Sequence, residues 1–219
     1  MIPLRDVIPS RTTPFITITI IVLNALAWFL ELSLPRDVLP VFLQFYGVVP
    51  ADFHWGTLVT SMFLHGSWMH VIGNMWYLWI FGDNVEDRVG HGRFVVFYLL
   101  CGIAAAFGQI AVDPSSTLPT IGASGAIAGV MGAYFVLYPR SRVLTLIPLI
   151  IFWEIVELPA TVLLGFWFLM QLFSAGAIAV TASIGAGGVA FAAHVAGFVV
   201  GMGGVLVFRK RERTSEMWM

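Results

Sequence analysis

The chain has 219 residues, of which 59% are hydrophobic and only 11% charged, with a mean hydropathy of +0.91. A soluble domain is about half apolar and a quarter charged, so the composition excludes a soluble globule and points to a polytopic membrane protein filled by one membrane domain. The net charge of −1 says little by itself; where the charges lie says more.

Residues 1–13 are polar and mixed, with Arg5 and Arg11, and are expected to form a cytoplasmic N-terminal segment. The first apolar stretch, Pro14 to about Leu34, is long enough to span a bilayer. No small-residue cleavage site follows it and further spans do, so a retained helix is expected rather than a signal peptide. Residues 35–66 contain Pro35, Pro40 and Pro50 and the aromatics Phe42, Phe45, Tyr46, Phe53 and Trp55. That mixture predicts a loop lying in the membrane interface. A second, aromatic-rich span runs from about Ser67 to Phe81. The charged residues 82–93 that follow predict a solvated turn, in which Asp83, Glu86, Asp87 and Arg88 could form a loop-fixing ion pair. The third span covers about Phe94 to Val112. Cys101, the only cysteine, lies inside it and reads as a small core residue. The fourth runs from Gly122 to near Tyr138.

Residues 143–173 are almost continuously apolar. The piece 143–157 is short, contains Pro148, and ends in Glu154 and Glu157, which are costly in lipid. It is expected to be interfacial or re-entrant, with both carboxylates at the inner surface. The fifth span then covers about Leu158 to Ala177. A Gly/Ser/Thr-rich turn at 181–187 leads to a sixth span, about Gly188 to Phe208, and residues 209–219 open as a basic cytoplasmic tail. With six spans and the N-terminus inside, every Lys and Arg except Arg36 falls on an inner segment, the distribution that sets orientation in membranes. The expectation is therefore an all-α, six-span bundle at 14–208 with both termini cytoplasmic.

The stretch Ile121-Gly122-Ala123-Ser124-Gly125 stands at the start of the fourth span. Unpaired N–H groups at a helix start carry partial positive charge. A hydroxyl there can attack a carbonyl while nearby donors hold the oxygen that becomes negative. Three small residues around one hydroxyl equally fit close helix packing. Orientation weighs between the two readings. The second, fourth and sixth spans all run from outside inwards. They place His70 and Asn74, Ser124, and His194 at similar depth near the outer surface, with His194 about two turns into its span. His70 and Asn74, four residues apart, share a helix face. Intramembrane ionisable residues usually mark function. Gly125, Gly129 and Gly132 on the fourth span and Gly197, Gly201 and Gly204 on the sixth would let those two backbones approach closely, bringing His194 towards Ser124.

These motifs, His70-x-x-x-Asn74, Gly122-x-Ser124-Gly125 and Ala193-His194-x-x-Gly197-x-x-x-Gly201 in this order, resemble those of the rhomboid family of intramembrane serine proteases, as does Gly82-x-x-x-Glu86-x-x-x-Gly90. The resemblance covers nearly the whole chain. It implies a six-helix bundle with a Ser–His dyad in a water-filled cavity open to the outside. Ser124 would be the nucleophile and His194 the general base, with Asn74, His70 and the backbone around Gly122 to Ser124 holding the oxyanion. Some members carry Tyr four residues after the serine, packed against the histidine; here that position is Ala128, which leaves open what orients His194.

No acidic residue lies at the depth of Ser124 in the outer halves of the second, fourth or sixth spans, so a dyad is expected rather than a Ser/His/Asp triad. Hydrolysis needs water, so the site must face a hydrated interior. The expected partners are the lipid bilayer and single-span membrane protein substrates with small or helix-breaking residues near the outer end of the span; no nucleic acid, cofactor or metal is expected. His54, His65 and His70 lack the convergent carboxylate or thiol of a metal site, and His65 is expected to anchor the outer loop. Two rival functions fit less well. A catalytically inactive rhomboid-like binder of membrane clients would not need Ser124 and His194. A small transporter would place its polar residues near the midplane. The charge distribution predicts a cytoplasmic-type membrane, and the short termini suggest a prokaryotic inner membrane.

Overall fold

The computed structural model describes residues 1–148, 153–181 and 190–210. Most of the chain is helical. Among the described residues eight α-helices run in the order α1 (Phe15–Ser33), α2 (Val38–Tyr46), α3 (Thr57–Thr60), α4 (Trp68–Val89), α5 (His91–Val112), α6 (Ser124–Leu137), α7 (Ala160–Thr181) and α8 (Phe191–Phe208). Three of them, α1, α5 and α8, are long and apolar enough to cross a membrane, and α6 and residues Ala160–Gly176 of α7 form shorter apolar helices.

The centre of the bundle is α6. Every residue from Gly125 to Tyr134 is buried, the signature of a helix that is apolar all round and enclosed on every side. It packs against α4, α5, α7 and α8. Its closest neighbour is α8, because glycines face glycines. A Cβ placed on Gly201 would lie 1.9 Å from the Gly129 carbonyl oxygen, and one on Gly197 would lie 2.1 Å from that of Gly125. No side chain fits there, so the two backbones touch directly and gain dispersion contacts along their length.

The structure departs from the sequence reading in several places. The solvated turn expected at 82–93 is instead the last two turns of α4, which continues to Val89; Gly90, at φ 92°, then turns the chain directly into α5. The charges there are partnered. Glu86 is fully buried and accepts hydrogen bonds from the Ile16 and Thr17 backbone N–H groups (2.9 and 2.8 Å) and the Thr17 hydroxyl (2.7 Å), capping the positive end of α1. His91 contacts the same carboxylate. Asp87 accepts from the Arg11 and Thr12 backbone N–H groups (2.5 and 3.0 Å). The carboxylates therefore fasten the entry of α1 to the end of α4.

Nor is the bundle purely α. Residues Ile2–Asp6 form β1, Arg142–Pro148 β2 and Trp153–Pro159 β3, in one antiparallel sheet of order β1-β2-β3. The described residues of the piece at 143–157, expected to be interfacial or re-entrant, thus lie in two paired strands. Glu154 and Glu157 sit exposed on β3, with Arg142 of β2 3.4 Å from Glu157. Val143, Thr145, Ile147, Ile155 and Val156 are β-branched, and Pro148 and Pro159 stand at strand ends, where proline is tolerated. The N-terminal segment supplies the third strand. Asp6 accepts from the Tyr134 hydroxyl (2.7 Å) and the Asn84 amide (2.8 Å), joining the sheet to α6 and α4. Burial pushes the Asp6 carboxyl up to about 6, partly offset by the Tyr134 hydrogen bond.

Smaller differences concern element starts. The expected interfacial loop at 35–66 contains α2, α3 and two single 3-10 turns. α6 begins at Ser124 rather than Gly122, and α8 at Phe191, so His194 stands one turn into its helix rather than two. The Gly/Ser/Thr-rich turn lies outside the described residues beyond Thr181, as do residues 149–152 and the basic tail beyond Lys210.

Candidate active site

The site forms where the N-terminal end of α4, the start of α6 and the first turn of α8 meet. Ser124 is the first residue of α6. The chain reaches it through Gly122, whose φ of 123° belongs to the left-handed region that favours glycine. The Gly122 N–H is held by the Ser61 carbonyl at 2.8 Å. A Cβ at Gly122 would stand 2.7 Å from His70 Nε2 and 3.7 Å from Asn74 Nδ2. Glycine is therefore needed twice here, for conformation and for space. The first bond of α6's ladder runs from the Ile127 N–H to the Ala123 carbonyl (3.0 Å), so the N–H groups of Ser124 to Ala126 precede it, as at any helix start.

Ser124 Oγ and His194 Nε2 are 2.8 Å apart. His194 is 8% exposed and Ser124 is half-buried. On the other side of the imidazole, His194 Nδ1 lies 2.7 Å from Oε1 of Gln171, on α7. Trp167, one turn earlier on α7, places its ring 5.8 Å from that of His194. Where sequence left Ala128 opposite His194 with nothing to orient it, α7 supplies an amide and an indole.

His70 and Asn74 lie on one face of α4, close to Gly122. The start of α4 is set by Ser67, whose hydroxyl accepts from the His70 N–H as an N-cap (3.2 Å). The Gly66 N–H approaches His70 Nδ1 at 3.5 Å. With Nδ1 accepting, the ring proton belongs on Nε2, the atom nearest Gly122. Asn74 is 8% exposed, and its Nδ2 lies 3.0 Å from His65 Nε2. Burial, with His70 adding to it, pushes the His65 imidazole down to about 4. His65 is therefore neutral at pH 7 and its Nε2 can accept from the Asn74 amide, which leaves the second Asn74 N–H free for another acceptor. The His65 backbone N–H is in turn held by Glu31 of α1 (3.1 and 3.3 Å), a side chain 1% exposed.

The structure thus brings Ser124, His194, Asn74, His70 and Gly122 into one locality. Sequence reasoning missed Gln171, Trp167 and Glu31. Gln171 is a lone amide within the apolar run 158–177, and one turn after an aromatic; that isolation was the available signal. Among the described residues no group of three or more His, Cys, Asp or Glu could hold a metal ion.

A serine at a helix start, bonded to a histidine within a glycine-packed helical bundle, defines the class of membrane-embedded serine–histidine proteins. Comparison with known proteins agrees. Residues 52–211 match the Rhomboid domain family, and the chain belongs to the rhomboid family, whose members are polytopic integral membrane proteins. It is 31% identical over 127 residues to the putative rhomboid protease YdcA of Bacillus subtilis, covering 57% of this chain and 62% of that protein. It is 42% identical over 83 residues to the rhomboid protease GluP of Bacillus subtilis, covering 38% of this chain and 16% of that protein. It is 29% identical over 169 residues to the mitochondrial presenilin-associated rhomboid-like protein A of Danio rerio, covering 74% and 41%. The chain therefore spans less than two thirds of the length of each of these relatives.

Proposed function

We propose that the protein is an intramembrane serine endopeptidase that cuts single-span membrane proteins in the outer third of their spans. The observation that carries this reading is the 2.8 Å contact between Ser124 Oγ and His194 Nε2, in a chain of the rhomboid family. His194 Nε2 takes the serine proton as Oγ adds to the scissile carbonyl, and then gives it to the leaving amine. The oxyanion of the tetrahedral intermediate is held by Asn74 Nδ2–H, His70 Nε2–H and the backbone N–H groups of Ala123 and Ser124, while Gly122, its own N–H held by Ser61, shapes the turn that presents them. Water, activated by the same histidine, then hydrolyses the acyl-enzyme. No carboxylate is needed, because the amide oxygen of Gln171 can accept a hydrogen bond from the imidazole Nδ1–H.

In this reading α1, α4, α5, α6, α7 and α8 are the six spans of a membrane domain at 14–208, with both termini and the sheet on the cytoplasmic side of a prokaryotic inner membrane. α4 starts at the outer side and carries its charges inward, in agreement with the Lys and Arg distribution. The dyad lies at the outer ends of α6 and α8, with Ser124 opening α6 and His194 one turn into α8, about 5 Å along it at about 1.5 Å per helical residue. A substrate helix must unwind there to present a carbonyl, so Gly, Ala, Ser or Pro near the cut lowers the cost.

The test is cleavage of a single-span test substrate by purified protein in liposomes, with mass spectrometry of the released fragment. Cuts are expected in the outer third of the span, leaving a short apolar stub. Cuts in the cytoplasmic half would overturn the placement of the site. No cleavage by the folded protein would favour a client-binding role instead. Loss of one oxyanion donor gives a graded effect: Asn74→Ala should lower kcat by roughly 10- to 1,000-fold with KM little changed. An unchanged kcat would make Asn74 a packing residue.

A further inference from the structure

We propose that Gln171 is the positioning residue for His194, holding the imidazole proton on Nδ1 so that Nε2 stays free to take the proton of Ser124. This rests on the protease reading and deepens it.

The argument begins with what a neutral imidazole can do. It has one N–H donor and one acceptor nitrogen, and which is which depends on its partners. A general base for Ser124 must keep its lone pair on Nε2, so its proton must sit on Nδ1. A proton on buried Nδ1 needs an acceptor, since an unpaired buried donor costs about 1–3 kcal/mol. Gln171 Oε1 is that acceptor, 2.7 Å away. The opposite tautomer would aim Nε2–H at the serine hydroxyl and leave Nδ1 facing a carbonyl oxygen, two acceptors without a proton between them. With Oε1 rather than the NH2 group turned to the ring, the amide selects the form competent to act as a base.

Geometry gives the second part. Gln171 and Trp167 are four residues apart on α7 and so lie on one helix face. Trp167 flanks the imidazole plane while Gln171 holds its edge. Ring position and ring proton are thus both held from α7, on the side of the imidazole away from Ser124 of α6. The rival role for Gln171 is an ordinary interhelical polar contact that tightens α7 against α8. The two roles differ in what they predict. A packing contact changes stability and leaves turnover per folded molecule alone. A positioning contact changes turnover and its pH dependence.

The test uses the full chain in detergent with a fluorophosphonate probe and a single-span substrate. Labelling of the wild type, lost in Ser124→Ala, first establishes a reactive serine; its absence would sink the protease reading itself, before Gln171 is reached. Gln171→Met keeps length and bulk without an acceptor for Nδ1–H. It should lower kcat and the labelling rate by roughly 10- to 100-fold, part of the 10²–10⁴ that a positioned general base contributes, with KM and thermal midpoint nearly unchanged. Gln171→Glu restores the acceptor. It should recover most of the rate lost in the Met variant and move the acidic limb of the rate profile to higher pH, because a carboxylate favours imidazolium. A Met variant with wild-type kcat would overturn the proposal, as would a Glu variant with neither recovery nor a shifted limb. If the Met variant failed to fold, the Glu profile alone would decide.

Discussion

Ser124→Ala and His194→Ala should each abolish proteolysis and fluorophosphonate labelling while the protein still inserts and folds. The two side chains act as one unit, joined at 2.8 Å. When a nucleophile and its base act together, removing either costs about as much as removing both, roughly 10⁴-fold or more in kcat. The double variant should therefore be no worse than either single one. Stability should change little. Ser124 ends a helix and loses one hydroxyl; His194→Ala removes a ring from a small polar cluster and leaves the α6–α8 contact intact. The decisive measurement is a double-mutant comparison of cleavage rate at matched folded fraction, read by thermal unfolding in detergent. A His194→Ala variant with near wild-type cleavage would remove the base from the mechanism and require another route for the serine proton.

The second large effect lies in packing. Gly201→Ala should destabilise the bundle by about 1–3 kcal/mol, the usual range for overpacking a full core, and Gly201→Val by more. The cause is direct. A Cβ at Gly201 would stand 1.9 Å from a backbone oxygen of α6 and 2.6 Å from the Gly129 Cα. Backbone cannot swing aside as the end of a flexible side chain can, so α8 must move bodily. Gly203, on another face of the same helix, has no atom within 4 Å of an added Cβ, and Gly203→Ala should be neutral or slightly stabilising, since alanine is the better helix former. Thermal midpoints of the two variants would settle it: equal midpoints would mean that α6 and α8 do not touch as described. Gly197→Ala lies between the two cases. It meets the Gly125 carbonyl at 2.1 Å one turn after His194, so it should lower activity beyond any loss of stability by displacing the base.

Much of this site was legible in the sequence, and the reason is chemical. Ser124, His194, His70 and Asn74 are polar residues in apolar surroundings, and the glycines around them repeat at helical spacing. Polar atoms in lipid stand out because their cost demands a purpose. Gln171 carries the same signal, yet with no motif beside it nothing said which helix it would face. The sheet was illegible for a different reason. Residues 143–158 lack the alternation that marks a half-buried strand, and the partner strand Ile2–Asp6 lies far off in sequence, so no local pattern reveals the pairing. The end of α4 misled through its charges. Four ionisable residues within six positions read as solvated, whereas Glu86 and Asp87 are spent on backbone N–H groups of the chain near α1, a match visible only once α1 and α4 are side by side.

The sheet also places a constraint on the order in which the molecule is finished. β1 and its partner, residues 143–146, are separated by well over a hundred residues, so the partner is translated long after β1. Until β2 has emerged, the backbone of Ile2–Asp6 has no ladder to join, and Asp6 cannot meet Tyr134. α1, α4, α5 and α6 precede β2 in the chain, and contacts between residues so far apart carry the largest loop-closure cost. The sheet is therefore a late event relative to α1, α4, α5 and α6, in which Ile2–Asp6 come back to clasp the link between α6 and α7. A bulky group fused close to Ile2 would act on that pairing, at the far end of α6 from the serine.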